Sequence, residues 1–367
     1  MSRSIEKLAL PYIKDLVPYK PGKPIEEVER EFGIQGSIKL ASNENPLGPS
    51  PIALRALREA LGEINRYPDG GGHYLKHALA KKHGVGPESI ILGNGSNEVI
   101  ELAARAFLGP QDGVVIPDPS FLIYRLVTQS LGCRQAFVPL RDFHYDLSAM
   151  ARAISSKVKM AFLGNPNNPT GTRVEPEELD AFISSLPENV ILVLDEAYYE
   201  YLPPEAAPDA IKHIQGGKLV LALRTFSKIY GLAGLRIGYG IAPPAMVDIM
   251  ERIRQPFNVN SLAQKAALAS LEDHQHIENS RAINEAGKDY LYRELKTLGI
   301  SYTPTSANFL LIDVKTDGPS VSRRLLEKGI IVRSMLPYNL PTHLRVTIGT
   351  PRENQRFIQA LREALGL

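Results

Sequence analysis

Arg224-Thr-Phe-Ser-Lys-Ile-Tyr-Gly-Leu-Ala-Gly-Leu-Arg-Ile-Gly-Tyr239 decides how this chain is read. The apolar run at residues 219–223 precedes it and has the make-up of a strand covered on both faces. Lys228 follows that run, with Thr225 and Ser227 just ahead of it. Arg236 comes eight residues later, past a glycine-rich turn. A lysine at the end of a buried strand is costly to keep as a bare cation. Forming an imine with an aldehyde removes that difficulty, and the hydroxyls and the arginine suit a phosphate.

Upstream the same pattern recurs. Short apolar runs lie at residues 90–92, 113–116, 134–138, 159–163 and 190–194, and one more follows at 237–241. Helical patterns at 97–108, 121–130 and 175–185 separate them. Strands alternating with helices predict an α/β fold with a mainly parallel, seven-stranded sheet. Ligands of such sheets sit beyond the carboxyl ends of the strands. Gly93-Asn-Gly-Ser-Asn97, Asn165-Pro-Asn-Asn-Pro-Thr-Gly171, Asp195 and Lys228 all follow strands. Past residue 243 the style changes to long helical patterns, at 243–254 and 261–298, then short strands and a last helix from Arg352. This predicts a large domain over residues 48–280 and a smaller α+β domain from residues 1–47 and 281–367.

Several residues carry chemistry. Asp195 ends the run at 190–194, where a carboxylate needs a partner to stay charged. A protonated pyridine nitrogen is such a partner; capping the next helix is the plainer role. Tyr198, three residues on, points the same way if the segment is helical. The prolines and glycine of 165–171 make a rigid turn that presents Asn168. Gly95, Ser96 and Asn97 open a helix whose N-terminus favours a phosphate, although neither a P-loop nor a dinucleotide fingerprint is present. Phe121 offers a ring face for a flat heterocycle, or an ordinary core contact. Arg345, and more weakly Arg333, sit among apolar strand residues and call for an anion. The phosphate-bearing aldehyde that meets these demands is pyridoxal phosphate.

Other classes of function fit poorly. With 42 Lys+Arg against 40 Asp+Glu there is no charge excess to favour nucleic acid or an anionic membrane. The single cysteine, Cys133, cannot form an internal disulfide and fits a reducing cytoplasm. No apolar run has the ~20 residues of a membrane helix, and residues 1–10 lack the apolar centre of a signal peptide. His274 and His276 share no helix face, so no metal site is expected.

Taken together, Ala41-Ser-Asn-Glu-Asn-Pro-Leu-Gly48, Asn65-Arg-Tyr-Pro-Asp69, Asn165–Gly171, Asp195-Glu-Ala-Tyr198, Thr225–Gly238 and Leu344-Arg-Val-Thr-Ile-Gly349 resemble the fold type I pyridoxal phosphate-dependent aminotransferases, over nearly the whole chain. The resemblance implies that Lys228 bonds the cofactor and then shuttles a proton, and that Asp195 pairs with the ring nitrogen. Asn168 and Tyr198 would bind the ring oxygen. Phe121 would stack on the ring where many relatives carry Tyr. Gly95, Ser96, Asn97, Thr225, Ser227 and Arg236 would hold the phosphate. Tyr67 would reach the phosphate in a partner subunit, giving a homodimer with shared sites. Arg345, helped by Arg333, would bind the substrate anion, with Tyr19 and Asn43 lining the substrate side. Within the family the likeness points to L-histidinol phosphate and 2-oxoglutarate as substrates, with glutamate as a product, in histidine biosynthesis. The motifs leave open an aromatic amino-acid aminotransferase and a threonine-phosphate-type decarboxylase. A non-catalytic regulator would normally carry a DNA-binding module, and the N-terminal ~40 residues are too short and insufficiently basic for one.

Overall fold

The computed structural model describes residue 5, residues 7–19 and residues 22–367. The signal-peptide reading of residues 1–10 therefore falls partly outside the described residues. In chain order the strands are β1 (Ile38–Lys39), β2 (Ile90–Gly93), β3 (Gly113–Asp118), β4 (Arg134–Pro139), β5 (Val158–Gly164), β6 (Ile191–Asp195), β7 (Val220–Thr225) and β8 (Gly238–Ile241). They are followed by β9 (Ser301–Thr303), β10 (Phe309–Asp313), β11 (Ile330–Ile331), β12 (Arg333–Ser334) and β13 (His343–Thr347).

Strands β2 to β8 form one seven-stranded sheet in the order β2-β8-β7-β6-β5-β3-β4. Only β8 runs against its neighbours. This is the mainly parallel α/β sheet expected from the apolar runs. Strand alternation divides it into two dry faces. Leu192, Leu194, Val220 and Ala222 pack with Leu79, Phe182 and Ala263 on one side. Ile191, Val193, Leu221 and Leu223 pack with Val99, Ile100, Tyr124 and Met246 on the other. Helices cover both faces, so nearly every strand residue is apolar and the polar ones stand out.

A second core, with Ile38, Leu40, Leu295, Leu310, Ile312, Leu344 and Phe357, lies around the antiparallel sheet β12-β13-β10-β9. β1 joins this part by pairing in parallel with β11. The stretch 261–298, read above as one helical pattern, is two helices, Ser261–Ser270 and His274–Thr297. The Asp273 side chain accepts from the His276 N–H and starts the second. Residue 280 thus falls inside a continuous helix.

Behind the carboxyl ends of β6 and β7 lies a buried ion pair. Arg224 Nε donates to Glu196 Oε2 at 2.7 Å, and its guanidinium stacks 3.2 Å from the Tyr199 ring centre. Both charged side chains are nearly inaccessible to solvent.

Gly231 closes the turn after β7, at φ +69°, and a Cβ there would stand 2.1 Å from the Gly48 carbonyl oxygen. Both the backbone angle and the contact demand glycine. Gly231→Ala should therefore destabilise the protein by about 2 kcal/mol or more. Calorimetry should show the thermal midpoint lowered by several degrees; an unchanged midpoint would contradict this packing.

Candidate active site

The sheet brings the polar strand ends together. In register, Asp195 of β6 lies between Gly164 of β5 and Leu223 of β7. β7 runs on to Thr225, and Lys228 stands in the turn beyond, three residues past the strand. Lys228 Nζ donates to the Ser42 carbonyl at 3.1 Å. Burial, reinforced by Arg345, pushes its amine down to about 8. A substantial neutral fraction is then present near physiological pH, as a nucleophilic amine requires.

Asp195 is buried and its carboxyl is raised by that burial. Two donors oppose the shift. Tyr124 Oη donates to Oδ2 at 2.8 Å, and the Ala197 N–H donates to Oδ1 at 3.2 Å.

Tyr198 lies in a turn and not on a helix, so the helical reading of its direction does not hold. Its side chain nevertheless faces the same cleft. Asn43 Nδ2 donates to Tyr198 Oη at 2.8 Å and Asn168 Nδ2 does so at 3.4 Å. Burial pushes the phenol up to about 12, so it keeps its proton. Both lone-pair contacts are then supplied by the asparagines, and the hydroxyl proton remains to be donated. Asn168 Oδ1 in turn accepts from Arg345 Nη1 at 2.6 Å, and Arg345 Nη2 donates to the Ala41 carbonyl at 2.7 Å. Arg345 Nε is buried and has no partner among the described residues. A buried guanidinium N–H without an acceptor is a place for an anion.

The other end of the cleft suits a phosphate. Ser96 and Asn97 form the first turn of the helix Ser96–Phe107. Gly95 precedes it at φ +80°, and a Cβ there would stand 2.3 Å from Arg236 Nη2. Only glycine lets the guanidinium lie against that turn. Arg236 Nη1 also reaches Ser227 Oγ at 3.5 Å, and Thr225 lines the same end. Helix N–H groups, hydroxyls and an arginine are the donor set of a phosphate monoester. With Asp195 at one edge of the cleft, Lys228 beside it and the Phe121 ring in its wall, these residues fit pyridoxal phosphate.

The cleft therefore gathers Tyr19, Asn43, Ser96, Asn97, Phe121, Asn168 and Asp195, together with Tyr198, Thr225, Ser227, Lys228, Arg236 and Arg345. Gly95 flanks it. Two residues stand apart. Arg333 pairs with Arg345 across β12 and β13, with its guanidinium 5.0 Å from the Tyr19 ring centre. Tyr67 is 83% exposed and stacks on Phe257 at 4.7 Å. Sequence reasoning missed Tyr124, Glu44 and the carbonyls of Ala41 and Ser42. Tyr124 had a signal, since it follows Phe121 at helical spacing; backbone carbonyls carry none. Among the described residues no group of three His, Cys, Asp or Glu could hold a metal. None of their helices is long and apolar enough to cross a membrane.

This fold and cleft define a class. The family described as aminotransferase class I and II matches residues 35–361, and the chain belongs to that family. Among its relatives is the histidinol-phosphate aminotransferase of Moorella thermoacetica, 51% identical over 96% of this chain and 92% of the relative. The crystal structure of histidinol-phosphate aminotransferase from Sinorhizobium meliloti, in complex with pyridoxal-5'-phosphate, superposes with a TM-score of 0.89 at 30% identity, covering 98% of this chain and 97% of the other. The L-threonine-O-3-phosphate decarboxylase of Porphyromonas gingivalis superposes at 0.80 with 25% identity, over 90% of this chain and 100% of that one.

The Lys228 amine should become reactive early. Trapping with an aldehyde and borohydride, followed by peptide mapping, should show half-maximal labelling near pH 8. Exposed lysines should lag to about pH 10.4. Labelling of Lys228 that begins only with theirs would remove its proposed environment.

Proposed function

We propose that this protein is a pyridoxal phosphate-dependent aminotransferase converting L-histidinol phosphate and 2-oxoglutarate to imidazole acetol phosphate and L-glutamate, a step of histidine biosynthesis. The observation that carries the reaction class is one cleft holding a depressed lysine amine, a buried carboxylate and an arginine with an unpartnered N–H. The choice of substrate is supported by the relative from Moorella thermoacetica and its 51% identity.

Bound pyridoxal phosphate supplies an aldehyde for the amino group and a cationic ring that accepts electrons. Lys228 Nζ would be the point of attachment and, as a free amine, the base that moves a proton between the substrate Cα and the cofactor C4′. Asp195 holds the ring nitrogen protonated. Tyr198 and Asn168 hold the ring oxygen, and Phe121 covers a ring face. Gly95, Ser96, Asn97, Thr225, Ser227 and Arg236 anchor the phosphate. Arg345 takes the substrate anion, a phosphate in one half-reaction and a carboxylate in the other, because its planar fork suits both. Arg333 adds charge behind it, and Tyr19 and Asn43 shape the substrate side. The two substrates use one cleft in turn, a ping-pong scheme.

We also propose that residues 48–280 and residues 1–47 with 281–367 act as two bodies around the cleft, in keeping with the two cores. The working form is a homodimer in the cytoplasm. Exposed apolar residues Leu61, Ile64, Tyr67 and Tyr74 support a partner surface there. Tyr67, braced by Phe257, would enter the cleft of the partner.

Adding histidinol phosphate to the protein loaded with pyridoxal phosphate should abolish the visible cofactor absorbance, and 2-oxoglutarate should restore it. A far better response to phenylalanine would favour the aromatic aminotransferase. Carbon dioxide released from a phosphorylated amino acid would favour the decarboxylase. The shared site has its own test: inactive Tyr67→Phe and Lys228→Ala chains, mixed and reassociated, should regain activity because one site of each mixed dimer is intact. Mixtures that stay inactive would place Tyr67 outside a partner's site.

A further inference from the structure

Asp195 does not stand in the sheet unassisted. Tyr124, on the helix Leu122–Ser130, is only 1% exposed, and its Oη donates to Asp195 Oδ2 at 2.8 Å. The ring is locked from two sides, stacked on Phe162 at 4.9 Å and edge-on to Phe121 at 5.7 Å. Burial, with Asp195 beside it, raises the phenol far above its ordinary value, so Tyr124 is a permanent donor. The Ala197 N–H takes the other carboxylate oxygen, Oδ1, at 3.2 Å. The carboxylate is thus gripped at both oxygens and cannot rotate freely.

We propose that Tyr124 is a positioning residue for the reaction: by donating to Oδ2 it keeps Asp195 ionised and sets the plane in which it meets the cofactor's ring nitrogen. This rests on the pyridoxal phosphate reading given above. The physical argument is a competition for one proton. A buried carboxylate with fewer donors is more basic. Without the Tyr124 hydroxyl, Asp195 holds a proton more tightly and draws it away from the ring nitrogen. The ring then loses positive charge and becomes a weaker electron sink. Phe121 and Tyr124 lie three residues apart at the start of one helical stretch, so the ring wall and the donor to Asp195 are placed by the same piece of backbone.

The test is a double-mutant cycle on the full chain. The affinity of the cofactor-stripped protein for pyridoxal phosphate is measured for the unsubstituted chain, Tyr124→Phe, Asp195→Asn and the double variant. Tyr124→Phe should weaken binding about tenfold in the native background and less than twofold beside Asp195→Asn. In the loaded enzyme it should lower kcat about tenfold with KM little changed. It should also move the ring-nitrogen resonance of 15N-labelled cofactor toward that of neutral pyridine. An equal loss of affinity in both backgrounds, or an unmoved nitrogen resonance, would overturn the inference and leave the cofactor assignment standing. No binding of pyridoxal phosphate by the unsubstituted protein would overturn both.

Discussion

The ends of β6 and β7 are tied from behind by Glu196 and Arg224, and the geometry of the cleft depends on that tie. Alternation along the strands sends Asp195 and Thr225 to one face and Glu196 and Arg224 to the other. The Glu196 N–H also donates to the Leu223 carbonyl at 3.0 Å, extending the ladder one residue past the strand. Glu200 Oε1 stands 3.7 Å from Arg224 Nη1 as a second buried carboxylate; such a group adds little net stability, yet loss of Arg224 costs about 3–5 kcal/mol because the carboxylates are left without their cation. The pair therefore acts as a spacer. It holds the carboxylate strand and the lysine turn at one separation, on the side of the sheet away from the chemistry.

Much of this was legible in the sequence, for a physical reason. A sheet covered on both faces admits few polar residues, so each polar residue at the end of an apolar run declares itself. Asp195 and Lys228 were found that way, Thr225 from its place just ahead of the lysine, and Asn168 from the proline-glycine turn that follows its strand. Arg345 declared itself too, a buried charge between Leu344 and Val346 of β13. What the sequence did not disclose is contact across distance. Tyr124 reads as one more aromatic on an amphipathic helix until the fold sets it against Asp195, 71 residues away. The direction of Tyr198 was argued from helical spacing, whereas a turn carries it to the cleft. The helix break before His274 did have a local mark, the cap Asp273.

The two cores meet at the site without sharing it equally. The large sheet brings Asp195 and Thr225 to it at its strand ends, with Lys228 in the turn beyond. The smaller part supplies Arg345, and the segment at Ala41 to Asn43 crosses between them. Asn43 N donates to Thr347 Oγ1 at 2.9 Å while its amide reaches Tyr198 on the large sheet. Asn308 Nδ2 holds the Asn43 carbonyl at 3.0 Å. This short length of chain is thereby tied to both sheets, and its backbone conformation, with Asn43 at φ 56°, belongs to that bridging position.

That crossing has a consequence for how the cleft is loaded. The carbonyl of Ser42 takes the lysine amine, and the carbonyl of Ala41 takes the arginine fork. Neutral peptide dipoles thus satisfy both cations at the crossing. A carboxylate or phosphate brings a full negative charge to Arg345, against which a peptide dipole is the weaker acceptor. The backbone there thereby favours charged oxygens over neutral ones as partners of the guanidinium.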